Sequence, residues 1–326
     1  MNSEDEQQSS FRALFETPEA AQLVSVSFEP GEVMLREGDP GDFFLVFVDG
    51  DADVYQAQTL IATVHAGSVI GELSLLTGIA RTSTVVARSP VTAKRGSAGD
   101  FADLLESDEI RNHLANLAAS RLAANAVAVP FTTPSGFDGE LRPLLPTDRP
   151  EYLDLLFKLS KESRRLRFFT GSLPSEKLIN YLLGIDFINH FAWVVLDRST
   201  NPHQGCAIAR LIRNEADASR AEAAFAVIDT RQGKGIGTIM LGAIGVAASA
   251  LGVTTVTAEI LNENAAMRRV FDKAKPTWTR PDRGVLEAAM PTESLCVLVN
   301  DDIRVALSDA VHGIGLAAEI GLRIHG

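Results

Sequence analysis

From Leu23 to about Ala93, short apolar runs are cut by turn signals at Glu29, Pro30 and Gly31, at Gly38 to Gly41, at Asp49, Gly50 and Asp51, and at Ala66 and Gly67. Runs this short, punctuated this often, predict a compact all-β unit. Between Asp100 and Val127 the spacing of Phe101, Leu104, Leu105, Leu114, Leu117 and Leu122 instead predicts two helices flanking that unit. Residues 130–136, from Pro130 through Pro134 to Gly136, are rich in breakers and polar side chains and read as an interdomain linker.

In the second half, strand-like and helix-like segments alternate. Strands are expected at residues 140–144, 191–196, 205–212, 221–228 and 253–260. Helices are expected at about 147–163 and 174–184, from a glycine loop to about 251, and at 265–274. Such alternation implies a mixed α/β sheet. Residues 293–326 form an apolar tail with a helix expected after Asp302. The chain is thus expected to be an α+β protein of two domains.

Length agrees, since 326 residues exceed what one hydrophobic core usually organises. Apolar stretches are interrupted well before membrane-spanning length, so no transmembrane helix and no membrane partner are expected. The acidic, polar segment from Met1 to Ser10 lacks the basic leader and apolar core of a secretory signal, which predicts a cytoplasmic protein. Cys206 and Cys296 each sit in an apolar stretch and read as reduced packing residues. The six histidines are scattered, and no metal site is expected. A formal net charge of −12 repels phosphate backbones, and no basic element stands out against it, which argues against a nucleic-acid partner.

Two segments carry chemistry. In the first, Gly71, Glu72, Leu73 and Ser74 open a turn that is followed by Arg81 and Thr82. The planar fork of an arginine can neutralise a phosphate with two parallel hydrogen bonds, and backbone N–H groups of a glycine-initiated turn add donors. A carboxylate beside a phosphate needs a donor of its own, and a ribose 2′-hydroxyl suits Glu72. The segment resembles the phosphate-binding cassette of the cyclic-nucleotide-binding domain family, over roughly residues 11–128. The resemblance implies a β-roll with lid helices, a cyclic phosphate held by Arg81 and Thr82, and a ribose and phosphate lined by Gly71, Glu72, Leu73 and Ser74. Arg121 falls where members place a residue that caps the base, or else is a solvated helix-face arginine. Cyclic AMP is the expected ligand, with cyclic GMP left open by Thr82.

In the second segment, the apolar strand through Phe225, Ala226 and Val227 leads into Gln232, Gly233, Lys234, Gly235, Ile236, Gly237 and Thr238, where an apolar helix begins. Unpaired N–H groups at a helix start form an anion site, and glycines let a pyrophosphate approach the backbone. The spacing fits neither a Rossmann fingerprint nor a Walker loop. It resembles the Gln-x-x-Gly-x-Gly pattern of the GNAT family of N-acetyltransferases, over about residues 140–292. The resemblance implies an acetyl-CoA co-substrate bound by this strand and loop and by Asn264, which is also a natural helix N-cap. Acetyl transfer to an amine needs a base, and Glu222, in an otherwise apolar strand, is the candidate. Where many members carry a tyrosine as general acid, this chain has Phe271.

The order of the two modules resembles the cAMP-regulated protein lysine acetyltransferases of the actinobacterial Pat family. It implies a nucleotide domain at 1–128, a linker at 129–139, a catalytic domain at 140–292 with a lid at 158–186, and a helical tail at 293–326. The implied partners are proteins bearing acceptor lysines, acyl-CoA synthetases among them. Asn180 stands where some members place a substrate-mimicking histidine of the lid. The basic run Lys158, Lys161, Arg164, Arg165 and Arg167 either steers an acidic partner or forms a solvated helix face. A small-molecule amine acceptor and a catalytically silent sensor of both ligands remain alternatives, and oligomeric state is not legible.

Overall fold

A computed structural model describes residues 23–322. Met1 to Ser10, the start of the nucleotide-domain resemblance up to residue 22, and residues 323–326 of the tail lie outside the described residues. The chain forms two compact units: one up to Ala118 together with the segment from Ile320, the other from Ala119 to Glu319.

The first unit contains two four-stranded antiparallel sheets. One is built from β1 (Val24–Phe28), β3 (Phe43–Asp49), β6 (Val69–Ile70) and β8 (Val91–Ser97), in the order β1-β8-β3-β6. The other takes β2 (Val33–Leu35), β4 (Ala52–Gln56), β5 (Thr59–Val64) and β7 (Thr84–Ala87), in the order β2-β7-β4-β5. Period-two alternation sorts β3: Leu45 and Phe47 join the core shared with Met34, Val85 and Ala93, while Phe44 turns away and meets Phe101 at a ring distance of 5.3 Å. Phe101 lies on α2 (Ala98–Leu104), whose start is fixed by a capping box between Ser97 and Asp100. A short helix, α1 (Glu72–Thr77), joins β6 to β7, and α3 (Asp108–Ala124) carries the chain onward.

The second unit is built on one eight-stranded sheet, in the order β15-β16-β14-β13-β12-β11-β10-β9. Its strands are β9 (Val129–Thr132), β10 (Asp138–Pro143), β11 (His190–Asp197), β12 (Gln204–Arg213), β13 (Arg220–Val227), β14 (Thr255–Leu261), β15 (Thr277–Thr279) and β16 (Val285–Pro291). Between β10 and β11 come α4 (Arg149–Lys158), α5 (Lys161–Phe168) and α6 (Glu176–Leu183). Then α7 (Ile236–Ala250) follows β13, α8 (Ala265–Phe271) follows β14, and α9 (Thr292–Cys296) and α10 (Asp301–Leu322) close the chain. Every neighbouring pair is antiparallel except β13 with β14. Trp193 of β11 is fully buried and donates from its indole nitrogen to the Ala243 carbonyl of α7 at 3.0 Å, tying helix to sheet. Among the described residues no helix is long and apolar enough to cross a membrane.

Three expectations are corrected. The breaker-rich segment read as a linker starts with β9, which pairs with β10 as an edge strand, a place where the missing N–H of Pro130 is tolerated. The single helix expected over 147–163 is two, because the backbone is extended at Leu159 and Ser160 caps a new helix by accepting from the Ser163 N–H. Strands β15 and β16 were not expected: the alanine-rich β16 has weak strand preference of its own, and seven register pairs with β14 hold it.

Helix α7 buries three turns on almost every side. Its Gly242 and Gly245 admit Val299 and Leu295, and a Cβ on Gly245 would stand 2.4 Å from Leu295 Cβ and 2.8 Å from the Cys296 nitrogen. Alanine is ordinarily the better helix former by about 1 kcal/mol. Here the sign reverses: urea unfolding of Gly245→Ala is expected to show a loss of about 1–3 kcal/mol from overpacking.

Candidate functional site

In the first unit the cassette residues gather around one buried guanidinium. Gly71 opens α1 with φ 88°, and a Cβ there would lie 2.6 Å from Arg81 Nη1 and 2.9 Å from the Phe43 carbonyl oxygen. The glycine thus serves the turn and makes room for the arginine. Arg81, 5% exposed, donates from Nη1 to the Gly71 carbonyl at 2.7 Å and from Nη2 to the Phe43 carbonyl at 2.6 Å. Its guanidinium also lies over the Phe43 ring, 4.9 Å from the centroid. Burial lowers the Arg81 pKa while Asp42, Glu72 and Asp39 raise it, and the group stays cationic. Glu72, Leu73 and Ser74 are buried in α1, and Thr82 beside Arg81 is half-buried. Arg121 lies on α3 past Ala118 and belongs to the second unit.

In the second unit the site begins where the sheet splits. β13 and β14 pair only at Arg220 with Thr255, Ala221 with Val256 and Glu222 with Thr257. β13 stays bonded to β12 through Val227, so past Glu222 its other edge has no strand beside it. The gap is a cleft of about 680 Å3 lined by Glu222, Phe225, Ala226 and Val227 from β13, by Gln232, Gly233 and Gly235 from the loop, by Ile236, Gly237 and Thr238 from α7, and by Asn264 and Phe271 from α8. Gly233 at φ 72° and Gly235 at φ 84° take the left-handed conformation that turns the chain into α7. None of the N–H groups from Gly233 to Gly237 donates to a backbone carbonyl among the described residues, whereas that of Thr238 donates to the Gly235 carbonyl at 3.1 Å. An extended donor with a phosphate-bearing end fits these features: a free strand edge for its amides and a glycine-lined helix start for its phosphates. Lys234 is exposed, its carbonyl accepting from Ser135 Oγ at 2.8 Å, and its side chain is not part of the cleft wall.

Asn264 is buried and caps α8, its Oδ1 accepting from the Met267 N–H at 3.0 Å, which leaves its amide N–H groups for a ligand. Phe271 is buried between Phe225, at 5.7 Å, and Trp278, at 6.4 Å, and offers a ring in place of a hydroxyl. Glu222 stands at the vertex of the split. Its carboxyl pKa is raised, by burial first and then by Glu259 and Glu287, against the downward pull of Arg167. The side chain still reaches solvent because the cleft is open.

Sequence reasoning missed what α5 and α6 contribute. Asp229 accepts from the Ser160 N–H at 2.9 Å, from Ser160 Oγ at 2.6 Å and from Ser163 Oγ at 2.9 Å, and Gln232 Nε2 reaches Ser163 Oγ at 3.0 Å. These bonds pin α5 to the loop, with Ser163, Leu166 and Arg167 in the cleft wall. Beneath, Arg210 is 2% exposed, donates to the Leu182 carbonyl of α6 and lies 2.6 Å from His190 Nε2. Burial and the neighbouring Arg210 push His190 down to about 4, so it is neutral and accepts at Nε2. No motif marks this pair; its only sequence signal is a charged residue at an inward-facing strand position. Asn180 lies on the exposed face of α6 and accepts from Arg149 Nη1 at 2.9 Å. Most of the basic run is engaged locally: Lys158 pairs with Asp154, Arg165 with Glu162 and Glu263, and Arg164 with the Gly171 carbonyl.

Comparison with known proteins assigns a family to each of the two units. The Cyclic nucleotide-binding domain family matches residues 25–108, and the Acetyltransferase (GNAT) domain family matches residues 140–275. The chain is therefore a GNAT acetyltransferase fused to a cyclic-nucleotide-binding domain, which implies an acyl-CoA donor and a cyclic nucleotide ligand. It is 35% identical over 273 residues to Acetyltransferase Pat of Mycolicibacterium smegmatis, covering 82% of this chain and 81% of that protein. By that relationship it belongs to the Pat acetyltransferase family. It is also 38% identical over 74 residues to a cAMP-dependent protein kinase regulatory subunit of Dictyostelium discoideum, covering 21% of this chain and 23% of that one. A solved cAMP-binding acyltransferase from Mycobacterium smegmatis aligns with a TM-score of 0.49 and 28% identity, over 98% of this chain and 99% of that one.

The Asp229 anchor is testable. Burial raises its pKa, but bonds from Ser160 and Ser163 outweigh that and leave it lowered. Its contribution is therefore present above the ordinary Asp pKa of about 3.9 and is lost as pH falls below it. Hydrogen exchange at neutral pH should show α5 less protected in Asp229→Ala than in the wild-type chain, with α7 unchanged.

Proposed function

We propose that this protein transfers an acetyl group from acetyl-CoA to the ε-amino group of lysines in other proteins, metabolic enzymes such as acyl-CoA synthetases among them, under the control of cyclic AMP. The observation that carries the reading is Glu222, a carboxylate of raised pKa where β13 and β14 part. Glu259 on β14 also lines the cleft, and the negative wall suits a cationic acceptor. A cyclic AMP preference draws support from the kinship of the first domain with a cAMP-dependent regulatory subunit. Residues 158–186, which contain α5 and α6, are the segment we assign as a cover over the acceptor end.

When bound, acetyl-CoA supplies the thioester carbonyl as acyl donor and its thiol as leaving group. The free edge of β13 from Phe225 to Val227 hydrogen-bonds its amides, while Gln232 to Thr238 and the amide of Asn264 hold its nucleotide end. Glu222 accepts the proton that the acceptor ammonium must lose, and its raised pKa keeps it basic enough to do so near neutral pH. Phe271 offers a ring and no proton, so the departing thiolate takes the second proton, which the attacking nitrogen gives up as the amide forms. In the first domain Arg81 and Thr82 hold the cyclic phosphate and Glu72 the ribose. Ten-fold activation by nucleotide needs about 1.4 kcal/mol of differential binding between the active and inactive states.

Radiolabelled acetyl transfer to a purified acyl-CoA synthetase tests the reading. Glu222→Gln should lower kcat by roughly 10²–10⁴-fold while CoA still binds, and the acid limb of the wild-type pH profile should lie above the ordinary Glu pKa of about 4.3. Label on a small amine but not on protein would overturn the protein-lysine reading. Separately, Arg81→Lys loses the planar fork, and its transfer rate should no longer respond to cyclic AMP at concentrations that activate the wild-type protein.

A further inference from the structure

The start of α7 carries more positive charge than the protein neutralises. Lys273, in the turn Asp272–Ala274 that follows α8, places its Nζ 2.8 Å from Oγ1 of Thr238, in the first turn of α7. Arg269 stands one helical turn before it, and both side chains line the cleft. The first turn of α7 holds no acidic residue, and a helix start is itself a positive pole. Among the described residues neither Lys273 nor Arg269 belongs to an ion pair. The carboxylates of the cleft wall, Glu222 and Glu259, lie on the strands and not at this end. An exposed hydrogen bond from lysine to threonine contributes little by itself. What it does is hold a flexible cation beside the N–H groups of Gly235 to Gly237, where a ligand phosphate completes both.

We infer that Lys273 is a phosphate ligand of the acyl-CoA donor, a role that no motif in the sequence announces. The inference rests on the reading of the cleft as the donor site. The donor has two sources of the same chemistry, the pyrophosphate and the 3′-phosphate of its nucleotide. The Nζ reaches either by leaving Thr238, and Thr238 Oγ1 is then free to donate as well.

Calorimetric titration of the full-length chain with CoA and with dephospho-CoA, which lacks the 3′-phosphate, separates the outcomes without any acceptor. Lys273→Gln should bind CoA about ten-fold more weakly than wild type, as expected for loss of one charge-assisted hydrogen bond. Lys273→Arg, which keeps the charge, should recover most of that loss. Lys273 is exposed, so thermal melting of both variants should match wild type. If the ten-fold loss persists with dephospho-CoA, the partner is the pyrophosphate; if it disappears, the partner is the 3′-phosphate. Equal CoA affinity in wild type and Lys273→Gln would overturn the inference and leave the cleft reading standing, whereas failure of wild type to bind CoA would overturn both.

Discussion

The catalytic unit depends on a hydrogen-bond ladder that stops early. Among the described residues β13 and β14 are its only parallel neighbours, and three register pairs join them before they part at Glu222. A buried strand edge left unpaired is costly, and an edge facing a wet cleft is tolerated because water or a ligand amide takes the place of the missing strand. The same divergence sends β13 into the Gln232 loop and α7 away from β14, so that a helix start points into the opening. The candidate base Glu222, the free strand edge and the helix start are therefore one consequence of one geometric event. The fully packed α7 and its two close-approach glycines, Gly242 and Gly245, keep the wedge at that end from collapsing.

The parts of this arrangement legible in the sequence are those where a single residue type is forced by backbone geometry. Gly71, Gly233 and Gly235 all adopt left-handed conformations at turns that open helices, and the chemistry of the neighbouring residues follows from those turns. The strands of the central sheet were visible because their apolar runs are long. What could not be read depends on partners distant in the chain. β16 is strand because β14 lies beside it, β9 because β10 does, and neither has the composition to announce itself. The α4 and α5 break was hidden because apolar spacing runs on through Leu159, while Ser160 acts as a cap only in conjunction with Asp229, far along the chain.

On the proposed reading, the two sites would bind phosphate in different ways. In the cassette the cation is buried, oriented by the carbonyls of Gly71 and Phe43 and surrounded by Asp39, Asp42 and Glu72, so its position is set before any ligand arrives. At the proposed donor cleft the neutral backbone offers the fixed donors, and the cations Arg269 and Lys273 are exposed. Preorganised charge favours discrimination, since a ligand must match a geometry already in place, whereas exposed lysine charge adds attraction with little shape. That difference suits the proposed roles, a cyclic-nucleotide site that recognises its ligand by shape and a co-substrate site that releases its product in every cycle.

Arg167 links the cover of the cleft to the chemistry within it. It sits on α5, half-buried, with its own pKa lowered by burial and raised by Tyr152 and Glu222, and it is the one group acting on Glu222 to favour the charged carboxylate. The other influences on Glu222, burial and the carboxylates of Glu259 and Glu287, all favour the neutral acid. The proton affinity of Glu222 is therefore a balance to which α5 contributes the opposing charge, on a helix held to the loop by Asp229 and Ser163. The helix that walls one side of the cleft thus also places a positive charge against the carboxylate at its vertex.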